Sequence, residues 1–161
     1  MRPVFKWIAA GVALAFAGLQ LTNPERANPP VAPGHDLMAT NAPPAEVAAL
    51  LHHACYDCHS SETKWPWYSH VAPVSWFVAG HVKDGREHLD FSGWPRDDST
   101  QARKKLNHIA DQVEEGDMPL PSYTWIHAEA RLTSAQREQI VKWARQEADR
   151  LKPLPAETNS H

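Results

Sequence analysis

Cysteine is nearly absent from this chain, basic charge is not in excess, and no stretch alternates apolar and polar residues as a half-buried strand would. Each shortage excludes something. Of 161 residues only two are cysteines, Cys55 and Cys58. Two residues apart, they are too close to staple a fold, because a disulfide stabilises chiefly by closing a long loop. They are there for chemistry. A formal net charge of -3 offers nothing to a phosphate backbone, so nucleic acid is not an expected partner. With neither strand alternation nor an internal repeat, the chain reads as all-α, with room for one compact domain and a tail or two.

What is abundant points to a large planar group or a metal: seven tryptophans and ten histidines. Fourteen prolines gather between Pro24 and Pro44 and around Pro153 and Pro155, in segments that read as extended linker and tail. The start of the chain is an address. Arg2 and Lys6 precede an uncharged run from Trp7 to Leu21, the charged and apolar regions of an export signal. Ala15-Phe16-Ala17 offers a cleavage site, and the alternative is a soluble product cut near Ala17. The length of the run, and Glu25 and Arg26 well beyond it, favour an uncleaved single-pass anchor. No cysteine lies near it for a lipid anchor. The positive flank keeps the N-terminus inside and puts the rest on the periplasmic side of a bacterial cytoplasmic membrane. The expected organisation is an anchor or signal at 1–21, a Pro-rich tether at 22–43, a helical domain at 44–152 and a flexible tail at 153–161.

About four helices are expected in the domain. Val47, Leu50, Leu51 and Ala54 share one face after Pro43 and Pro44. Val74, Phe77, Val78, His81, Val82 and Leu89 mark a second helix, weakened by Gly80 and Gly85. Ser99 or Thr100 can cap a third, with the stripe Ala102, Leu106, Ile109, Ala110 and Val113 and an end at Gly116. Thr133 and Gln136 form a capping box for the last, whose inner side carries Ala135, Ile140, Val141, Trp143, Ala144 and Leu151 before Pro153 stops it.

The first helix leads into Cys55-Tyr56-Asp57-Cys58-His59, the attachment sequence of c-type haem. Two intervening residues put both sulfurs on one side of a helical turn, where each can add to a vinyl group of one porphyrin edge, and His59 then lies under the iron as proximal ligand. Its second ring nitrogen needs an acceptor, for which the carbonyls of Pro66 and Pro73 are candidates. Zinc would need two further ligands from histidines, since no second cysteine pair exists. A thiol-disulfide site usually accompanies a βαβ pattern, which is missing. One covalent haem c is the cofactor these residues imply.

Met118 is the only methionine in the expected domain, in the stiff run Gly116-Asp117-Met118-Pro119-Leu120-Pro121, and is the expected distal ligand. The alternative for it is a core gap-filler. His70, His81 and His127 compete with it, and His35 and Met38 in the tether are remote candidates. Trp65, Trp67, Tyr68 and Trp76 suit a pocket wall against the porphyrin, or ordinary aromatic core. Arg86, His88, Tyr123 and Trp125 suit the propionates or a docking face.

Cys55 to His59, a helix ending in glycine before Met118-Pro119, and Leu132-Thr133 opening a last helix with Ile140 and Trp143 resemble the layout of class I cytochromes c. More closely, the stretch from Cys55 to Trp76, Gly85-Arg86-Glu87-His88-Leu89 and Met118-Pro119-Leu120-Pro121-Ser122-Tyr123 resemble the bacterial haem-binding domain family of small, often membrane-anchored proteins. That resemblance runs from Asn28 to Ala144. From the cytochrome layout it implies that the helix before the motif crosses the final helix and that the methionine loop supplies the distal ligand.

Three function classes follow. A haem closed by His59 and Met118 suits an electron carrier serving an unidentified redox partner. A peroxidase-like enzyme would need an iron site that opens and a distal acid-base group, such as His70, His81 or His127. A gas or redox sensor would exchange Met118 for its ligand.

Overall fold

The structure, a computed structural model, describes residues 2–151; the expected tail at 153–161 lies outside them. Among the described residues there are helices and no strands. The apolar N-terminal run forms α1, Arg2–Leu19, continued by a 3-10 turn over Gln20–Thr22. The span Val4–Thr22 is long and apolar enough to cross a membrane and none of it is buried against the domain, as suits a single-pass anchor or a signal sequence.

The four expected helices are α3 (Ala45–Ala54), α5 (Val74–His88), α6 (Ser99–Glu115) and α8 (Ser134–Arg150). Three short ones join them: α2 (Leu37–Asn41), α4 (Tyr56–His59) and α7 (Pro121–Ile126). The caps explain the boundaries. Thr133 and Gln136 make the expected capping box at the start of α8. Gly116, at φ +84°, takes the left-handed conformation that ends α6. The α6 cap is not Ser99 or Thr100, however. Asp98 accepts from the Gln101 amide at 2.9 Å, so the helix begins at Ser99.

The core lies mainly between α6 and α8, with α3 packed across α8. Leu106 and Ala110 of α6 and Ile140 and Ala144 of α8 are fully buried, as the two stripes predict. Leu51 of α3 and the loop residues Phe91 and Trp94 close the same cluster.

The tether has no regular structure from residue 23 to 32, turns at 33–34 with Gly34 at φ +76°, and runs into α2, but it is not free. Arg86 explains much of this, because its guanidinium gathers chain from three places. Nε donates to the Ser60 carbonyl at 2.8 Å, Nη1 to the Ala27 carbonyl at 2.9 Å, and Nη2 to Asn28 Oδ1 and Thr63 Oγ1, both at 2.9 Å. Arg86 is therefore a strap holding the tether to the loop after the motif, with four of its five N–H donors engaged there. Further on, the Leu37 amide donates to the Phe91 carbonyl and the Trp94 amide to the His35 carbonyl, each at 2.8 Å, and Leu37 is fully buried. The last turn of the tether is thus part of the core.

Candidate functional site

Cys55 breaks the helix leading into the motif. Its φ of -129° and ψ of -41° separate α3 from α4, so the motif begins a new turn instead of continuing the old helix. The two residues between the cysteines hold that turn in place. Tyr56 is buried and donates its hydroxyl to Asp36 at 3.1 Å. Asp57 accepts the Tyr123 hydroxyl at 2.7 Å and the Lys64 amide at 3.0 Å. Burial, followed by Asp57 beside it, pushes the Tyr123 hydroxyl well above its ordinary range, so it stays a donor.

His59 is held from α5. Its Nδ1 lies 3.0 Å from the Gly85 carbonyl and 2.9 Å from the Leu89 carbonyl. Carbonyls only accept, so Nδ1 carries the proton and Nε2 keeps its lone pair. Burial lowers the imidazole pKa, against the raising effect of the two backbone bonds, and favours the neutral ring. The acceptors are therefore Gly85 and Leu89, and not Pro66 or Pro73. Only glycine permits this approach: a Cβ at residue 85 would meet the Cys58 carbonyl oxygen at 2.7 Å. Gly85, which weakens α5 as a helix, is what lets α5 touch the motif.

Cys55, Cys58, His59 and Met118 all line one cavity of about 350 Å³, between α4, α5, α6 and the loop before α7. Its remaining wall is largely apolar, from Leu89, Phe91, Ile109, Val113 and Leu120, with Tyr123 at α7. Burial pushes the Cys55 thiol up to about 12, with Cys58 adding to it. Cys58 is pushed up to about 11 by burial first and Asp57 second, against Arg86. A dithiol redox site works through a lowered thiolate, which is the opposite of this environment.

Met118 sits half-buried in its loop. Its amide donates to the Gln112 carbonyl at 3.1 Å, and its carbonyl accepts from Arg137 Nη1 at 2.9 Å. The competing histidines separate clearly. His127 is engaged at both nitrogens, with Tyr68 at 2.7 Å and Glu129 at 3.2 Å, and stacks on Tyr123. His70 is exposed and away from the cavity. His81 lines the cavity, with Nδ1 bonded to the Phe77 carbonyl at 2.8 Å. His88 and His108 line it as well. His35 and Met38 do not.

None of Trp65, Trp67, Tyr68 and Trp76 lines this cavity. Tyr68 borders a smaller adjoining pocket with Cys58 and His81, whereas Trp67 is 79% exposed and Trp76 donates to the Thr22 carbonyl at 2.9 Å. Trp67 and Trp76 follow the motif in sequence but turn away from its cavity, because Pro66 and the turn Trp67–His70 carry the chain to the start of α5, whereas Trp65 borders a separate pocket with Asp57 and Tyr123. Trp125 is exposed at the end of α7.

Two mutually close thiols, an imidazole presented as a neutral ligand and a thioether around an apolar cavity make a donor set for a haem, not for a compact ion. Among the described residues no cluster of three His, Cys, Asp or Glu side chains could hold a metal ion. The profile of the haem-binding domain family matches residues 14–146. The chain belongs to that family. Haem binding is accordingly its property, and the cavity between α4, α5 and α6 has the residues to accept one. No curated protein and no solved structure matches this haem-binding domain.

Two features of the domain were not anticipated from sequence. The backbone acceptors for His59 come from residues 26 and 30 positions downstream, and the only trace of them is a glycine in an otherwise helical pattern. His108 and Gln112 flank the apolar stripe of α6 and were visible only as its polar edge.

Proposed function

We propose that the protein binds one haem covalently through Cys55 and Cys58, with His59 as proximal and Met118 as distal ligand, and works as an electron carrier anchored to the periplasmic face of the cytoplasmic membrane. The observation that carries this reading is the pair of carbonyls on His59 Nδ1, which leaves Nε2 as the only nitrogen able to ligate. The thiols of Cys55 and Cys58 would add across the two vinyl groups, each sulfur bonding one carbon and its hydrogen going to the other. A bound haem supplies an iron that cycles between ferric and ferrous states.

The chain's own residues do the rest. Gly85 and Leu89 fix the ring plane of His59 and raise its basicity as a ligand. Arg137 holds the Met118 carbonyl and the Val113 carbonyl together, so the methionine loop is ordered before any ligand arrives. The apolar wall excludes water and favours the less charged iron state, and a thioether ligand shifts the potential in the same direction relative to two imidazoles. A site closed on both faces has no position for a substrate, which favours transfer over catalysis. His81 supports a second reading, bis-imidazole ligation, since it lines the same cavity and, among the described residues, its Nε2 has no hydrogen-bond partner.

Spectra decide between these. Haem staining on a denaturing gel tests covalent attachment. In the native protein the oxidised spectrum should carry the far-red sulfur-to-iron band, and the reduced protein should not bind carbon monoxide quickly. Rapid carbon monoxide binding would sink the carrier reading in favour of a sensor or a peroxidase-like enzyme, and absence of the far-red band would remove Met118 as ligand.

A further inference from the structure

The exit of α1 is bound to the domain by a specific set of contacts. Gln20 pairs with the backbone of Ala72 in both directions, Nε2 to the carbonyl at 3.2 Å and Oε1 from the amide at 3.0 Å. The Trp76 indole donates to the Thr22 carbonyl at 2.9 Å, and Arg26 Nη1 to the Ser69 carbonyl at 3.2 Å. All three partners lie within residues 69–76, around the turn that opens α5. A flexible hinge would show none of these bonds.

The same segment carries an apolar surface with no cover. Trp67 is 79% exposed, Phe77 55%, Val74 43% and Trp76 39%, and Leu21, at the end of α1, is 88% exposed. Bulky side chains gathered this way mark an interaction surface more often than chance exposure does. Tryptophans beside a spanning helix are the composition of a membrane-water interface.

We propose that Leu21, Trp67, Val74, Trp76 and Phe77 form a rim that sits in the headgroup layer of the bilayer spanned by α1, so that the domain rests on the membrane in one orientation instead of hanging from a loose tether. This inference rests on α1 remaining as the anchor. The occupant is the lipid surface because the rim is continuous with α1 through the bonds of Gln20 and Trp76, and any bilayer that takes α1 must reach it. A fixed orientation would present the same side of the haem domain to every redox partner.

The test uses the full-length haem-loaded protein in vesicles of phosphatidylcholine and phosphatidylglycerol that carry a lipid with a photoactivated carbene precursor near its headgroup. Peptide mapping after illumination should find label in α1 and in residues 67–77, and none on the outer surface of α6 and α8. The double variant W67S/V74S, altered at exposed positions that border neither pocket beside Cys58, should keep its haem and the label in α1 but lose most of the label in 67–77. Label confined to α1 in the parent overturns the proposal and leaves the anchor standing. Label missing from α1 as well overturns both. Crosslinking of residues 67–77 to a second copy of the chain in place of lipid also overturns it, as does undiminished 67–77 label in the variant.

Discussion

Replacing Gly85 by Ala separates a helix effect from a packing effect in one residue. In an exposed helix interior alanine is worth about 0.8–1.0 kcal/mol over glycine, so the change should stabilise α5. At residue 85, however, the new Cβ lies 2.7 Å from the Cys58 carbonyl oxygen and 3.2 Å from its carbonyl carbon. Both are backbone atoms, so no rotamer change relieves the clash and α5 must move away from α4. Forcing a methyl group into packed structure costs about 1–3 kcal/mol. The movement also lengthens the bonds from His59 Nδ1 to the Gly85 and Leu89 carbonyls, now 3.0 and 2.9 Å, each worth about 1 kcal/mol. The net expectation is a loss of about 1–3 kcal/mol, or roughly 2–10 °C in Tm for a chain of this size. Gly80 is the control in the same helix, because nothing lies within 4 Å of a Cβ built there. Gly80→Ala should raise stability by about 0.5–1 kcal/mol. Thermal unfolding of both variants followed by circular dichroism, with haem content measured alongside, makes the comparison. Should G85A prove as stabilising as G80A and take up haem fully, the close approach of α5 to the motif does not hold His59 as argued.

Four further outcomes follow from the same geometry. Cys55→Ala or Cys58→Ala should leave one thioether and Cys55→Ala/Cys58→Ala none, read as a stepwise shift in the pyridine haemochrome spectrum and loss of gel haem stain in the double variant. Met118→Ala should abolish the far-red band and lower the reduction potential while His81→Ala leaves both unchanged; a parent protein without that band, whose potential shifts with His81→Ala and not with Met118→Ala, would assign the distal position to His81. Arg86→Ala removes four hydrogen bonds that gather residues 27, 28, 60 and 63, so limited proteolysis should cut within 22–36 faster and stability should fall by about 1–3 kcal/mol. Thr133→Ala breaks the capping box of α8 and should cost about 1 kcal/mol in chemical denaturation, with no change in the haem spectrum.

The local features were legible because local physics produces them. The stripes of α6 and α8 follow from a period of 3.6, the end of α6 from a glycine that accepts φ of +84°, and the start of α8 from a reciprocal cap within three residues. The motif from Cys55 to His59 is likewise a matter of spacing along one turn. Placement of the aromatic residues was not legible: Trp65, Trp67 and Trp76 have the composition of a pocket wall, but where a side chain goes depends on the path of the chain through Pro66 and the next turn. The tether misled for a related reason. Its prolines and asparagines predict a chain without regular structure, which it is from 23 to 32, but composition says nothing about an arginine some sixty positions away that ties it down.

The sequence by itself determined that this protein is helical, that two cysteines and a histidine share one turn from Cys55 to His59, and that an apolar helix precedes the domain, since each depends on residues close together in the chain. Only the tertiary structure decided which nitrogen of His59 is free and that Met118 shares its cavity. It also decided that the end of α1 is fastened to the start of α5. Those are meetings between distant segments, and they turn on a missing Cβ at Gly85, a carbonyl at Leu89 and the two bonds of Gln20 to Ala72.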